Sequence, residues 1–133
     1  MDFTFTYPKD CSNAPKKETI KEMIHAFARK DPSQVSHYLS EDIQWQRVNH
    51  QSIIGKESLF HFFANTENNH VLSLHIERII THGKLASADG TYTMSDGSTF
   101  SFCHIITFIS AGKNTMNAVK TFLIKHDLIL TGH

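Results

Sequence analysis

The sequence has no excess of either charge: 13 Lys+Arg stand against 13 Asp+Glu, for a formal net charge of +0 with histidine neutral. Such a chain has no electrostatic footprint for nucleic acid or an anionic membrane surface, and neither partner is expected. Cysteine is scarce. Cys11 and Cys103 lie far apart and form no CxxC or CxxH pattern, which argues against a disulfide framework and a zinc site. Two reduced thiols are the expectation. No apolar run approaches the roughly 18 residues a membrane span needs. The start, Met1-Asp2-Phe3-Thr4, has neither a basic n-region nor an apolar h-region, so a cytoplasmic location is expected. There is no GxGxxG or phosphate loop, no Gly-x-Ser-x-Gly elbow, and no HExxH or HxH spacing. No cofactor and no metal are therefore expected.

What is present is ordinary for a soluble globular protein: 40% hydrophobic and 20% charged residues over 133 positions. That length suits one domain and can bury a core without staples. Ten histidines add positive charge as pH falls towards about 6.

Residues 1–12 read as an N-terminal arm with a short extended piece. Ile20, Met23, Ile24, Phe27 and Ala28 then fall at i, i+3, i+4, i+7 and i+8, one stripe of an amphipathic helix. Asn13 is the predicted N-cap, with Pro15 in the first turn. Asp31-Pro32 restarts the chain as cap and first helical residue. A short helix follows, with Val35, Tyr38 and Leu39 on one face. Ile43, Trp45 and Arg47 alternate with polar residues as a strand. Gly55-Lys56-Glu57-Ser58 opens a third helix carrying Leu59, Phe60, Phe62 and Phe63, and residues 65–69 break its pattern. From residue 71 the texture becomes alternating. Strands are predicted over residues 71–80, 85–94, 99–109 and 116–125, separated by turn signals at Gly83, Asp96-Gly97 and Gly112. Helices segregated from an antiparallel meander give an α+β fold, with the N-terminal helices covering the sheet's apolar face.

Strand register decides which polar groups meet. Taking Asp96-Gly97 as the centre of a two-residue hairpin loop sets Ser95 opposite Ser98 and Asp89 opposite His104. Taking Gly83-Lys84 as the centre of the preceding one sets Arg78 opposite Asp89. The predicted row Arg78–Asp89–His104 then lies on the face of Ile76, Ile80, Phe100, Phe102 and Phe108. A carboxylate beside an imidazole sets its tautomer and raises its pKa, so His104 and Asp89 are the candidate catalytic pair. The same row could equally be an ion-pair network without chemistry. A one-residue slip would send Asp89 to the other face.

Trp45, Arg47, Arg78, Phe102 and Phe27 are the candidate ligand-binding residues. Trp45 could be pure core or a wall on which a flat ligand stacks. Arg47 could bind an acidic group or be a solvated rim charge. Tyr92 is assigned to the outer face, with Cys103, Ile105, Ile109, Ala86, Ala88 and Gly90. That face is apolar enough to want a partner, which points to a homodimer.

The element order resembles the nuclear transport factor 2-like superfamily, in particular its SnoaL-like small proteins. The resemblance is carried over roughly residues 15–125 by Glu18–Lys30 with Asp31-Pro32, by Asp42-Ile43-Gln44-Trp45, and by the helix from Gly55 to Phe63. It continues in the hairpin at Ser95-Asp96-Gly97 and in Thr107-Phe108 before Gly112-Lys113. It implies one SnoaL-like domain over residues 1–133. Its shape would be a cone: N-terminal helices packed on a curved, mostly antiparallel sheet around a pocket, with dimers formed through the outer sheet face. His104 stands where related ketosteroid isomerases carry an oxyanion-hole aspartic acid. Arg47 stands where their base would lie, and Met23 where a helix tyrosine would lie, so steroid isomerisation by that route is disfavoured. An Asp–His pair is closer in kind to scytalone dehydratase.

The expectation is a protein that binds a small, largely apolar ligand. As an enzyme it would be a cofactor-free isomerase, dehydratase or cyclase. The alternative is a non-catalytic ligand-binding or dimerisation domain.

Overall fold

The computed structural model describes residues 3–64 and 70–126, apart from the side chains of residues 12, 13 and 64. The break predicted at residues 65–69 therefore lies outside the described residues. A short strand, β1 (Thr4–Thr6), leads through a single 3-10 turn into helix α1 (Pro15–Ala28). The cap position of α1 is Ala14 rather than Asn13, and no side chain caps it; Pro15 fills the first position, where its missing N–H costs nothing. Helix α2 (Pro32–Ser36) is capped as predicted, with the Asp31 carboxylate accepting from the Gln34 N–H at 3.1 Å. Strand β2 (Leu39–Arg47), the two-residue β3 (Ile53–Ile54) and helix α3 (Lys56–Ala64) follow. Four long strands complete the chain: β4 (Val71–His82), β5 (Leu85–Met94), β6 (Thr99–Phe108) and β7 (Met116–Lys125).

All seven strands form one curved, unclosed sheet in the order β1-β4-β5-β6-β7-β2-β3. The meander β4 to β7 is antiparallel, whereas β1 joins β4 and β2 joins β7 in parallel. The N-terminal arm is thus an edge strand, and Phe5 stacks on His25 of α1 with ring centroids 4.4 Å apart. The helical stripe on α1 buries Ile20, Met23 and Ile24. They share one core with Trp45, Phe108, Ile106 and Met116, each almost wholly excluded from solvent. Among the described residues no helix is long and apolar enough to cross a membrane.

Two local irregularities set which residues face inward. First, β4 carries a bulge at Glu77: Ile76 pairs with Gly90, but Arg78 pairs with Asp89. The extra residue shifts the alternation by one, so Ile76 and Ile79 point inward while Ile80 is exposed. Gly90 sits under that bulge, where a Cβ would fall 2.0 Å from the His75 carbonyl oxygen. Second, the β5–β6 connection is a three-residue loop. Gly97 N–H donates to the Met94 carbonyl, Met94 N–H donates to the Ser98 carbonyl, and Gly97 takes φ +90°. This is a type I turn closed by a left-handed glycine, and the strand pairs begin at Thr93 opposite Thr99.

Candidate functional site

That loop corrects the register the sequence suggested. Ala88, not Asp89, stands opposite His104, and Asp89 stands opposite Cys103. Neighbouring residues of a strand point to opposite faces, so Asp89 leaves His104 and the proposed Asp89–His104 pair does not form. Arg78 does pair with Asp89, as expected, with Nε 3.1 Å from Oδ1, but this ion pair lies on the outer face. Arg78 is accordingly remote from the cavity that the other candidates line. Beside the pair, the Cys103 thiol is pushed up in pKa by burial and by the Asp89 charge, so it is held as the unreactive thiol.

The same one-residue correction brings Tyr92, Ala88, Ala86 and Gly90 to the inner face from the outer one. Tyr92 stands opposite Phe100, with the rings stacked at 5.3 Å. The cross-strand row that the structure builds is Ala88–His104–Thr121–Arg47, running over β5, β6, β7 and β2. Of the sequence-predicted residues, His104, Trp45, Arg47, Phe102 and Phe27 come together around one cavity of about 710 Å³. It lies between the concave sheet and the inner sides of α1 and α3, which contribute Phe27, Phe62 and Phe63. Phe27 is the hub of the aromatic wall, with its ring centroid 4.9 Å from that of Trp45 and 5.0 Å from that of Phe63.

Thr121 links the polar groups and was not singled out from the sequence. Its Oγ1 accepts the Trp45 Nε1–H at 2.8 Å and lies 2.7 Å from His104 Nδ1. Indole nitrogen only donates. With one lone pair of Thr121 so used, its hydroxyl still has a proton and a second lone pair for Nδ1, and the direction of that hydrogen bond follows the tautomer of His104. Burial, and secondarily the charge of Arg47, push the His104 pKa down to about 4. The imidazole is therefore neutral at pH 7. Among the described residues Nε2 has no hydrogen-bond partner, and it is left to bond a ligand in the cavity, as donor or acceptor according to the tautomer.

Two further donors share that space. Arg47 is partly buried, and its guanidinium rests 5.0 Å from the Phe62 ring centroid. No carboxylate among the described residues pairs with it, and burial lowers its pKa. The Tyr92 phenol is pushed up to about 12 by burial, partly offset by the nearby Arg47 charge, so it stays protonated. The described residues lining the cavity include Lys30, His50 and Lys125 but no Asp or Glu. Among the described residues the chamber is thus apolar, rich in donors and free of acidic side chains. Nowhere among the described residues do three His, Cys, Asp or Glu cluster as a metal site would require.

The fold recurs widely among solved structures. An NTF2-like protein from Burkholderia xenovorans LB400 superposes with a TM-score of 0.72 at 12% identity, covering 92% of this chain and 91% of its own. An NTF2-like protein from Burkholderia pseudomallei K96243 gives 0.66 at 19% identity, over 81% and 89%. An LEH-like epoxide hydrolase from M. tuberculosis gives 0.65 at 14% identity, over 80% of each chain. At such identities the likeness is one of fold. No match is found among curated proteins. The sequence model for the SnoaL-like domain matches residues 20–115. With that match spanning most of the chain, on a cone of helices over a curved sheet, this protein belongs to the SnoaL-like family of the nuclear transport factor 2-like superfamily.

Proposed function

We propose that the chain binds a small, largely apolar organic molecule in the chamber between its helices and concave sheet. One observation carries this reading: a cavity of about 710 Å³, walled by aromatic side chains, into which Arg47 and Tyr92 project with no ion-pair or hydrogen-bond partner among the described residues. That volume lies in the range of small-molecule sites, and a few placed donors within an oily wall are what orient such a ligand. Binding is favoured over acid–base turnover. No carboxylate lines the cavity among the described residues, and a neutral His104 with a pKa near 4 is a weak base at pH 7. The isomerase, dehydratase or cyclase reading drew its proton carrier from an Asp–His pair that does not form.

Calorimetric titration with 2-naphthylmethanol, an uncharged aromatic probe, tests the proposal. Wild-type protein is expected to show saturable one-to-one binding. Ala28→Phe, which fills the cavity from the end of α1, should abolish it while leaving the circular dichroism unchanged. Absence of saturable wild-type binding of this probe and of its carboxylate counterpart, 2-naphthoate, alike, or equal binding by the filled variant, would sink the reading.

A further inference from the structure

We propose that the chamber selects ligands with an anionic head, specifically aromatic or alicyclic carboxylates, and that Arg47 anchors the carboxylate. This rests on the reading of the cavity as a ligand site and adds the chemistry of its occupant. Three facts about placement point to it. Arg47 lies on β2 directly opposite Thr121, which lies opposite His104, so the guanidinium and the imidazole flank one hydroxyl on the concave face. The guanidinium packs on Phe62 and has no ion-pair partner among the described residues. The described lining holds cationic and donor groups and no acidic ones.

A cation in oily surroundings without a counter-ion is costly to maintain, and folds seldom keep one without use. Arginine supplies a planar fork that matches a carboxylate, and its contact with the Phe62 ring holds the guanidinium against the cavity wall. Tyr92 holds its phenolic proton and donates it to a bound oxyanion, and His104 does the same in its Nε2–H tautomer, which the Thr121 hydroxyl supports by donating to Nδ1. Thr121 is already engaged by Trp45 and His104, so it serves to aim the ring rather than to receive the ligand. The hydrocarbon part of the ligand then lies against Phe27, Phe102 and Leu74. A cationic ligand would meet like charge and no carboxylate among the described lining residues, and a neutral hydrocarbon would leave the guanidinium uncompensated.

The test is a matched pair of probes, 2-naphthoate and 2-naphthylmethanol, titrated by calorimetry into wild-type protein and Arg47→Met at neutral pH. Wild type should bind the acid about 10- to 100-fold more tightly than the alcohol, the range expected of a charge-assisted bidentate contact. Arg47→Met should bring the two affinities together, and rising salt should weaken the acid only. An acid-to-alcohol ratio at or below one in the wild type overturns the inference while leaving the cavity reading intact. So does a preference for the acid that survives in Arg47→Met. Failure of both probes to bind removes the cavity reading and this inference with it. Should Arg47→Met not fold, the wild-type ratio alone decides.

Discussion

Thr121 shows how much one hydroxyl can organise. It holds Trp45 by the indole N–H and His104 by Nδ1, joining three strands through side chains as well as through the ladder. The arrangement satisfies a neutral imidazole, and burial together with the Arg47 charge opposes a second ring proton. His104 in the unfolded chain titrates near its ordinary 6.5, whereas in the fold its pKa is pushed down to about 4. Below 6.5 the unfolded chain gains a proton that the folded one refuses. The stabilisation from keeping His104 neutral is therefore complete above pH 6.5 and is lost as pH falls towards 4, a change of about 3 kcal/mol. Urea unfolding of the wild type between pH 7 and 4 should show this loss over and above that of His104→Gln, which cannot titrate. Parallel pH profiles for the two proteins would show that His104 accepts a proton in the fold without penalty. Trp45, Phe27 and Phe102 were legible in the sequence because large apolar residues on one face of a strand or helix seek the interior. Thr121 was not, since a threonine in a strand gives no sign of which face or partner it will have.

At the scale of elements, loop length and bulges decided what the periodicity left open. Alternation marked each long strand, and the two-residue turn at Gly83-Lys84 gave the Arg78–Asp89 pairing correctly. Asp96-Gly97 fits both a two-residue loop and the end of a three-residue one, and the two differ by one residue in register. The structure takes the longer loop, with the Asp96 carboxylate accepting from the Ser98 N–H at 2.9 Å. The aromatic pair Tyr92–Phe100 and the facing Thr93–Thr99 pair were the available signals for that choice. The bulge at Glu77 had no signal in its own strand; its trace is Gly90 on the neighbour. Gly90 leaves no room for a side chain, since a Cβ would lie 2.0 Å from the His75 oxygen and 2.9 Å from Phe102 Cζ. Gly90→Ala should cost about 3 kcal/mol or more, because the bulged backbone must move. Gly112→Ala, where an added Cβ meets nothing within 4 Å, should stay within about 0.5 kcal/mol. Thermal melts of the two variants make the comparison. Similar melting temperatures would mean that β4 can slide over β5 at little cost.

For the whole molecule, the order of helices and strands was enough to read an α+β fold, because an amphipathic helix stripe and a meander with one oily face have few ways to cover each other, and the cone shape came from the family resemblance. The parallel contacts at both ends of the sheet were hidden, since they join segments distant in sequence. Among the described residues the outer face of the sheet is left uncovered. Ile105, Phe122 and Ile124 of β6 and β7 are exposed there by 44%, 38% and 66%, with Ile80 of β4 on the same side. Adjacent exposed aliphatic and aromatic groups on neighbouring strands form a patch of the kind monomers rarely leave in water. A second copy of the chain is the occupant we propose. The face is a gently curved sheet that can meet itself about a twofold axis, and a chain of net charge +0 does not repel its copy. Charge placed in the centre of such a contact is buried twice, once from each copy, so one substitution acts at two symmetric positions. Ile105→Glu should therefore convert a dimer into a monomer in sedimentation velocity. It should do so without weakening the binding of 2-naphthoate, because Ile105 points away from the cavity. A wild type that sediments as a monomer at high micromolar concentration would end the dimer proposal, and the chamber on the other face of the sheet would stand independently of it.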